Sequence, residues 1–391
     1  MSPTKSHGRA RWSLGAFAAL VPAAAVVWAT AGDSHSDLEI YRFGVDALWA
    51  GGDLYGALPL SDAGIPLLFI YPPFAALALT PLALMPWTGA VLLLFALGLG
   101  ALGITFYAII RTLRPSGDRR KAMLVASLAI TPALFLEPVR QTLGFGQINL
   151  LLMGFVAADC LLARGRYRGI GVGLAAAIKL TPMAFLLFFL VRKDFRGALT
   201  AMGTFMAASA VAFAVAPEAS ARYWFGGLAG ASGISGTSFH TNQTLQAVLA
   251  RFGTDSAKPL WIVLTGVLLV LVTLTMYRSA IVPALLLNAT FALLISPTSW
   301  SHHWVWIAPA LFTTAAYVVL KRRKVVWLAL TGVVATIFVA APFRYFPAFD
   351  RPGQTWTTAQ QWLGNCYVLA GLVFVVVAAV FALREGPRCS T

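Results

Sequence analysis

Carboxylates are scarce in this sequence, with 14 Asp and Glu among 391 residues against 29 Lys and Arg. Charged residues make up only 11% of the chain and apolar ones 59%, whereas soluble domains are about one-quarter charged, so a water-soluble globule is excluded. A mean hydropathy of +0.78 points the same way, to a polytopic membrane protein. Cysteine is equally sparse. Cys160, Cys366 and Cys389 stand far apart with no CxxC spacing, so neither a disulfide framework nor a zinc site is indicated. There is no HExxH or DxD spacing, no Walker sequence and no GxSxG, and therefore no metal, no cofactor and no soluble nucleotide is expected. The literal GxGxxG from Gly98 to Gly103 lies inside an apolar run with no strand before it, and reads as a helix-packing surface. The formal charge of +15 would suggest nucleic acid in a soluble chain. Here the basic residues sit in short clusters between apolar runs, as cytoplasmic loops do, so no nucleic-acid partner is expected.

The apolar runs and their basic flanks give a topology. Lys5, Arg9 and Arg11 precede a run from Trp12 to Ala31, about the twenty residues that cross a bilayer, which is read as an uncleaved anchor with the N-terminus inside. A short helix from Leu38 to Trp49, ended by Gly51-Gly52, should then lie at the outer surface. Residues 72–86 contain Pro72, Pro73, Pro81 and Pro86; if they crossed, the next run would carry Arg111, Arg114, Arg119, Arg120 and Lys121 outside. They are expected to form an outer-face or re-entrant helix instead. Spans follow at about 88–110, 122–138 and 148–163. Gly169 to Val191 has arginines at both ends and the length for one crossing, not two, so it is expected to be a hairpin of half-length helices turning at Lys179-Leu180-Thr181-Pro182. Further spans at about 197–217, 260–276, 281–297, 303–320, 325–343 and 363–383 put Arg278, Lys321 to Lys324 and Arg384 inside. The expected fold is all-α: about ten full transmembrane helices plus the hairpin, one domain over 1–391, outer loops at about 32–87 and 218–258, and both termini cytoplasmic.

On this topology the outer face collects ionisable and polar groups from separated parts of the chain. The stretch around Ser34 to Arg42 supplies Asp33, His35, Asp37, Glu39 and Arg42; Arg140, Gln147, His240, Asn242, Gln243, His302 and His303 join it. Asp37 and Glu39 are candidates for a general base. Lys179 approaches from within the membrane, where an unpaired charge costs about 2.5–3.5 kcal/mol, so it needs a partner or a water-filled cavity. It either serves a ligand or snorkels at the hairpin turn. His302 and His303 diverge by about 100° on a helix, so one should face the cavity and the other pack.

Several motifs occur in a telling order: Asp37 and Tyr41, Tyr71-Pro72-Pro73, Gly146-Gln147-Ile148-Asn149, Ile178-Lys179-Leu180-Thr181-Pro182, Asn242-Gln243, and Ser296-Pro297 through Trp300 to His302-His303. Over about residues 34–310 this order resembles the integral-membrane glycosyltransferases of family 87, enzymes of GT-C fold from mycobacteria and relatives. The resemblance implies a polyprenyl-phosphate mannose donor and a glycolipid or lipoglycan acceptor (phosphatidylinositol mannoside, lipomannan or lipoarabinomannan), with an α-1,2 linkage made on the outer side of the plasma membrane; some relatives use an arabinofuranose donor. It implies that Asp37 is the catalytic aspartate, with Glu39 as the fallback, and that Lys179, His302 and His303 face the donor phosphate, with Arg140 a further candidate. Tyr41, Arg42, Gln147, Asn149, Asn242, Gln243 and Trp300 are expected to bind substrate.

The chemistry of the residues agrees with such a reaction. A lipid phosphate leaves as an anion and needs cations rather than a general acid, so one carboxylate suffices and the course is a single displacement with inversion. A secondary transporter would also have many spans, a hairpin and buried charge. Its polar groups, however, would gather at the midplane between matched halves rather than on one face.

Overall fold

A computed structural model describes residues 33–62, 64, 66–226, 237–253, 257–320, 325–351 and 353–384. The expected anchor at 12–31 with Lys5, Arg9 and Arg11, the basic run 321–324 and Cys389 lie outside the described residues. The described chain is helical, and its β contact is an isolated antiparallel bridge between Asn242 and Trp300.

Two short helices come first. Helix α1 (Ser36–Trp49) ends where Gly51 takes φ 70°, a conformation that favours glycine, and α2 (Pro73–Leu84) starts on a proline at its first turn, where the missing N–H costs nothing. The two pack on each other. Gly44 lets the segment that precedes α2 lie close to α1, since a Cβ there would sit 2.4 Å from the Phe69 ring. Arg42 caps the C-terminal end of α2, its Nη1 donating to the carbonyls of Leu82 at 3.2 Å and Met85 at 2.9 Å.

The long helices follow: α3 (Trp87–Leu113), α4 (Arg119–Ala133), α5 (Glu137–Gly144) and α6 (Asn149–Leu161). Of the α3 glycines expected to pack, Gly98 lies against Leu150 of α6 and Gly103 against Ile130 of α4, whereas Gly100 faces open space; opposite, a Cβ on Gly154 would meet Ala101 at 2.6 Å. The run expected to cross straight from 122 to 138 is instead bent by 83° between α4 and α5. Pro132 weakens the last turn of α4 and Pro138 opens α5, so the chain changes direction between them.

The expected hairpin is two half-length helices, α7 (Ile170–Ile178) and α8 (Leu186–Val191), separated by an extended Lys179 and a 3₁₀ turn at Thr181–Phe185. Then come α9 (Phe195–Val215), α10 (Pro217–Phe225), α11 (Leu245–Arg251), α12 (Ala257–Arg278) and α13 (Ile281–Ile295). A 3₁₀ turn at Ser301–Trp306 leads into α14 (Ile307–Leu320), followed by α15 (Val325–Ala340), α16 (Thr358–Gly364) and α17 (Cys366–Arg384). By length and composition, five helices among the described residues can cross a membrane, or six if the bent α4–α5 pair is one span. Helices α2, α6 and α13 are apolar but shorter.

Candidate active site

The start of α1 is fastened to the end of α5. His35 adopts a left-handed φ of 45° and its Nδ1 bonds the Gly144 carbonyl at 2.8 Å, while the N–H groups of Asp37 and Leu38 donate to Phe145 O at 2.9 and 3.3 Å. Gly146 must be glycine here: its φ is +64° and a Cβ would lie 2.8 Å from that of Leu38. The turn that Gly146 makes delivers Gln147 to Asp37.

Gln147 Nε2 donates to Asp37 Oδ1 at 2.8 Å and to the Tyr71 hydroxyl at 3.0 Å. Its Oε1 accepts from the Tyr41 hydroxyl and from Ile148 N–H. The Tyr71 hydroxyl makes a longer contact, 3.4 Å, to the same Asp37 oxygen. Burial pushes the Asp37 carboxyl up to about 6, against the pull of the Lys179 charge and the Tyr71 hydroxyl. Burial and then the Asp37 charge raise the Tyr71 phenol, so it remains a neutral donor at physiological pH. Glu39 is engaged elsewhere, its Oε1 accepting from the N–H of Asp62 at 3.1 Å.

Over the ring of Tyr71 lies Lys179, its Nζ 5.5 Å from the ring centre. The ammonium donates to Asn149 Oδ1 at 3.0 Å and contacts His303 Nε2 at 3.2 Å, a nitrogen that must be unprotonated to accept. Asn149 is oriented in turn by its Nδ2 donating to His302 O at 3.0 Å, and Thr142 Oγ1 donates to the same carbonyl at 2.9 Å. The adjacent histidines divide their work as the sequence led us to expect. His303 meets Lys179, and the His302 ring packs edge-on against Phe145, centroids 5.1 Å apart. Lys179, Asn149, Ser299 and His303 form the polar end of a cleft otherwise lined by Leu152, Met153, Phe185, Leu293, Val305 and Trp306.

The structure thus brings Asp37, Tyr41, Gln147, Asn149, Lys179 and His303 together, with His302 one layer behind. Other expected site residues stand apart from this group. Arg42 is the helix cap described above, and Arg140 is half-buried on α5 with no ion pair among the described residues. Asn242 and Gln243 are fully buried braces: Asn242 Oδ1 accepts from Ser299 N–H at 3.0 Å, Gln243 N–H donates to Ser299 O at 2.8 Å, and Gln243 Nε2 donates to Gly364 O at 2.8 Å. Trp300 pairs by its backbone with Asn242 and by its ring with Phe239. These residues hold the segment that carries His303 rather than lining the cleft.

Sequence reasoning passed over Tyr71 as a site residue and Glu137 altogether. Glu137 is wholly buried and accepts from Ser301 Oγ at 2.8 Å, Arg344 Nε at 2.9 Å and the Tyr367 hydroxyl at 3.0 Å. The available signal was an acid inside an apolar run, in a chain with few acids. Glu137→Ala leaves three donors without their acceptor, and a loss of about 3 kcal/mol is expected, moderated by the partly exposed Arg344. Thermal unfolding of the detergent-solubilised protein measures it; an unchanged midpoint would show the network to be dispensable.

A carboxylate and an ammonium meet one tyrosine beside an apolar cleft, on a scaffold whose several long apolar helices mark a membrane protein. The sequence comparisons give its family. The chain belongs to glycosyltransferase family 87, whose family model matches residues 69–297. A polyprenol-phosphate-mannose-dependent alpha-(1-2)-phosphatidylinositol mannoside mannosyltransferase of Mycolicibacterium smegmatis is 35% identical, over 89% of this chain and 84% of its own length. The protein of the same description from Mycobacterium tuberculosis is also 35% identical, over 88% and 84%. A phosphatidylinositol pentamannoside mannosyltransferase of Mycolicibacterium smegmatis, again polyprenol-phosphate-mannose-dependent, is 33% identical over 87% and 84%. Among solved structures, ArnT from Cupriavidus metallidurans bound to undecaprenyl phosphate is a distant likeness, with a TM-score of 0.46 and 14% identity over 96% of this chain and 75% of its own.

Proposed function

We propose that this enzyme transfers a mannosyl residue from a polyprenyl-phosphate-mannose donor to a glycolipid or lipoglycan acceptor of the phosphatidylinositol mannoside type, forming an α-1,2 linkage with inversion. One observation carries the reading: Asp37 and Lys179 both meet Tyr71, the carboxylate at its hydroxyl and the ammonium over its ring, which puts a base and a cation at a single residue, with the apolar cleft beside the cation. The descriptions of the mycobacterial relatives support the sugar and the acceptor class.

In this mechanism the donor phosphate sits at Lys179, His303 and Asn149, and its hydrocarbon chain follows the cleft. The acceptor hydroxyl attacks the anomeric carbon from the face away from the phosphate and gives its proton to Asp37. The carbon–phosphate-oxygen bond breaks, and polyprenyl phosphate leaves with the electron pair. Its growing charge is met by the Lys179 ammonium, so no general acid is needed. The assay is direct: purified protein in detergent, given radiolabelled polyprenyl-phosphate-mannose and a phosphatidylinositol mannoside, should yield a labelled glycolipid sensitive to an α-1,2-mannosidase. A sugar that remains on its polyprenyl phosphate would overturn the reading.

The same proposal takes the scaffold as one GT-C domain over 1–391 with about ten spans plus the hairpin, both termini cytoplasmic and the site open to the extracytoplasmic side of the plasma membrane. Its support is the alternation of basic clusters between the spans. Single cysteines placed beside Asp37, Arg140, Asn242 and Arg351 should all react with a membrane-impermeant maleimide in intact cells. Labelling beside Asp37 only after permeabilisation would reverse the topology.

A further inference from the structure

The polar cluster around Asp37 is asymmetric. Both contacts to its carboxylate, from Gln147 Nε2 at 2.8 Å and from the Tyr71 hydroxyl at 3.4 Å, fall on Oδ1. Among the described residues no donor reaches Oδ2. The Gln147 amide is itself locked, because its Oε1 takes the Tyr41 hydroxyl proton and the Ile148 N–H at 3.0 Å. Turning the amide over would set its NH₂ group against the Ile148 N–H and its oxygen against the Asp37 carboxylate, so the orientation follows from the bonding. Gln147 is 4% exposed, Tyr41 is fully buried, and neither lines the cleft.

We propose that Gln147, locked by Tyr41, is a positioning residue that occupies Oδ1 of Asp37 and leaves Oδ2 as the oxygen that takes the acceptor's proton. This rests on the reading of Asp37 as the base, and it replaces the expectation that Tyr41 and Gln147 bind sugar. Fixing one carboxylate oxygen has a chemical purpose. A free carboxylate rotates and presents either oxygen, whereas a donor on Oδ1 fixes the plane and directs the other lone pairs at one point in space. The charged form gains the hydrogen bond, so Gln147 also opposes the rise that burial imposes on the carboxyl. The titratable groups facing Asp37 are Tyr41 on its own helix, Tyr71 from the segment before α2, and Lys179 from the end of α7, with His303 behind the lysine.

The test is the pH profile of kcat/KM for the acceptor in wild type, Gln147→Leu, Gln147→Glu and Tyr41→Phe. Gln147→Leu removes the donor and should lower kcat about tenfold or more while moving the acidic limb up by about one pH unit, because the charged form has lost its partner. Gln147→Glu keeps the shape, so it should fold, and sets a second carboxyl against Oδ1; its limb should move further in the same direction. Tyr41→Phe leaves the Ile148 N–H on the amide and should move the limb less. Donor KM should change less than twofold in all three. The inference fails if the limb stays at its wild-type position in both Gln147 variants, or if acceptor KM alone rises, which would make Gln147 a substrate contact. Asp37→Asn separates this from the underlying reading. If that variant is inactive while the Gln147 limbs are unmoved, only the positioning role is lost; if it is active, the base reading itself is lost.

Discussion

Asp37→Asn is expected to lower kcat by about 10²–10⁴, the usual worth of a positioned base, with the fold and donor binding intact. The amide is nearly isosteric, and its oxygen can still accept from Gln147 and Tyr71, but it cannot take a proton at neutral pH. The same group sets the pH dependence. Burial raises its carboxyl from 3.8 to about 6, so wild-type activity should fall as the pH drops through about 6 and the base becomes protonated. Stability moves the other way. A carboxyl raised in the folded state favours folding fully below its unfolded value near 3.8, and that contribution is lost as the pH rises through about 6. Near pH 7.5, then, Asp37→Asn should unfold at a higher temperature than wild type while being almost inactive. Turnover rates and melting curves on one preparation test both halves. Wild-type turnover in the variant would remove Asp37 from the chemistry, and Glu39, held by the Asp62 backbone, would have to be freed to replace it.

How far the sequence could be read depended on the range of the interaction involved. Signals within a few residues carried through: the glycine stop after α1, the break at Lys179 and the divergence of His302 from His303 are set by local backbone chemistry and by the cost of a charge in lipid. Bonds spanning much of the chain left no such trace. Gln147 meets Asp37 across 110 positions, and Glu137 meets Tyr367 across 230. Polar residues assigned to the outer face therefore looked equivalent in sequence. In the fold Arg42 caps a helix, Asn242 and Gln243 brace the segment before His303, and Gln147 aims a carboxylate. The bend between α4 and α5 was hidden for a related reason, since its apolar composition continues through Leu134, Phe135 and Leu136 while the prolines on either side redirect the chain.

Lys179→Met is expected to cut kcat/KM for the donor by about 10²–10³, or about 3–4 kcal/mol, which lies within the roughly 2–5 kcal/mol lost when one partner of a buried charge pair is truncated. The lysine sits where the helix breaks, so its backbone is extended and its ammonium is held by Asn149 and His303 at the polar end of the cleft. With no carboxylate bonded to it directly among the described residues, the charge is available to an anion. A phosphate arriving there offsets the lysine's desolvation, and the interaction strengthens as the leaving oxygen gains charge, so both binding and the chemical step should suffer in the variant. Acceptor KM should hardly change, because the acceptor approaches from the Asp37 side. Lys179→Arg should not restore wild-type rates, since a planar fork does not replace a compact ammonium between an amide oxygen and an imidazole nitrogen. A second consequence separates this from simple damage. The Lys179 charge pulls the Asp37 carboxyl down, so its removal should move the acidic limb of the rate profile to higher pH even though the two side chains do not touch. Donor and acceptor kinetics measured separately across pH in the folded variant decide the matter. A change confined to acceptor dependence, or none, would place the phosphate elsewhere and leave Lys179 as a structural residue of the break.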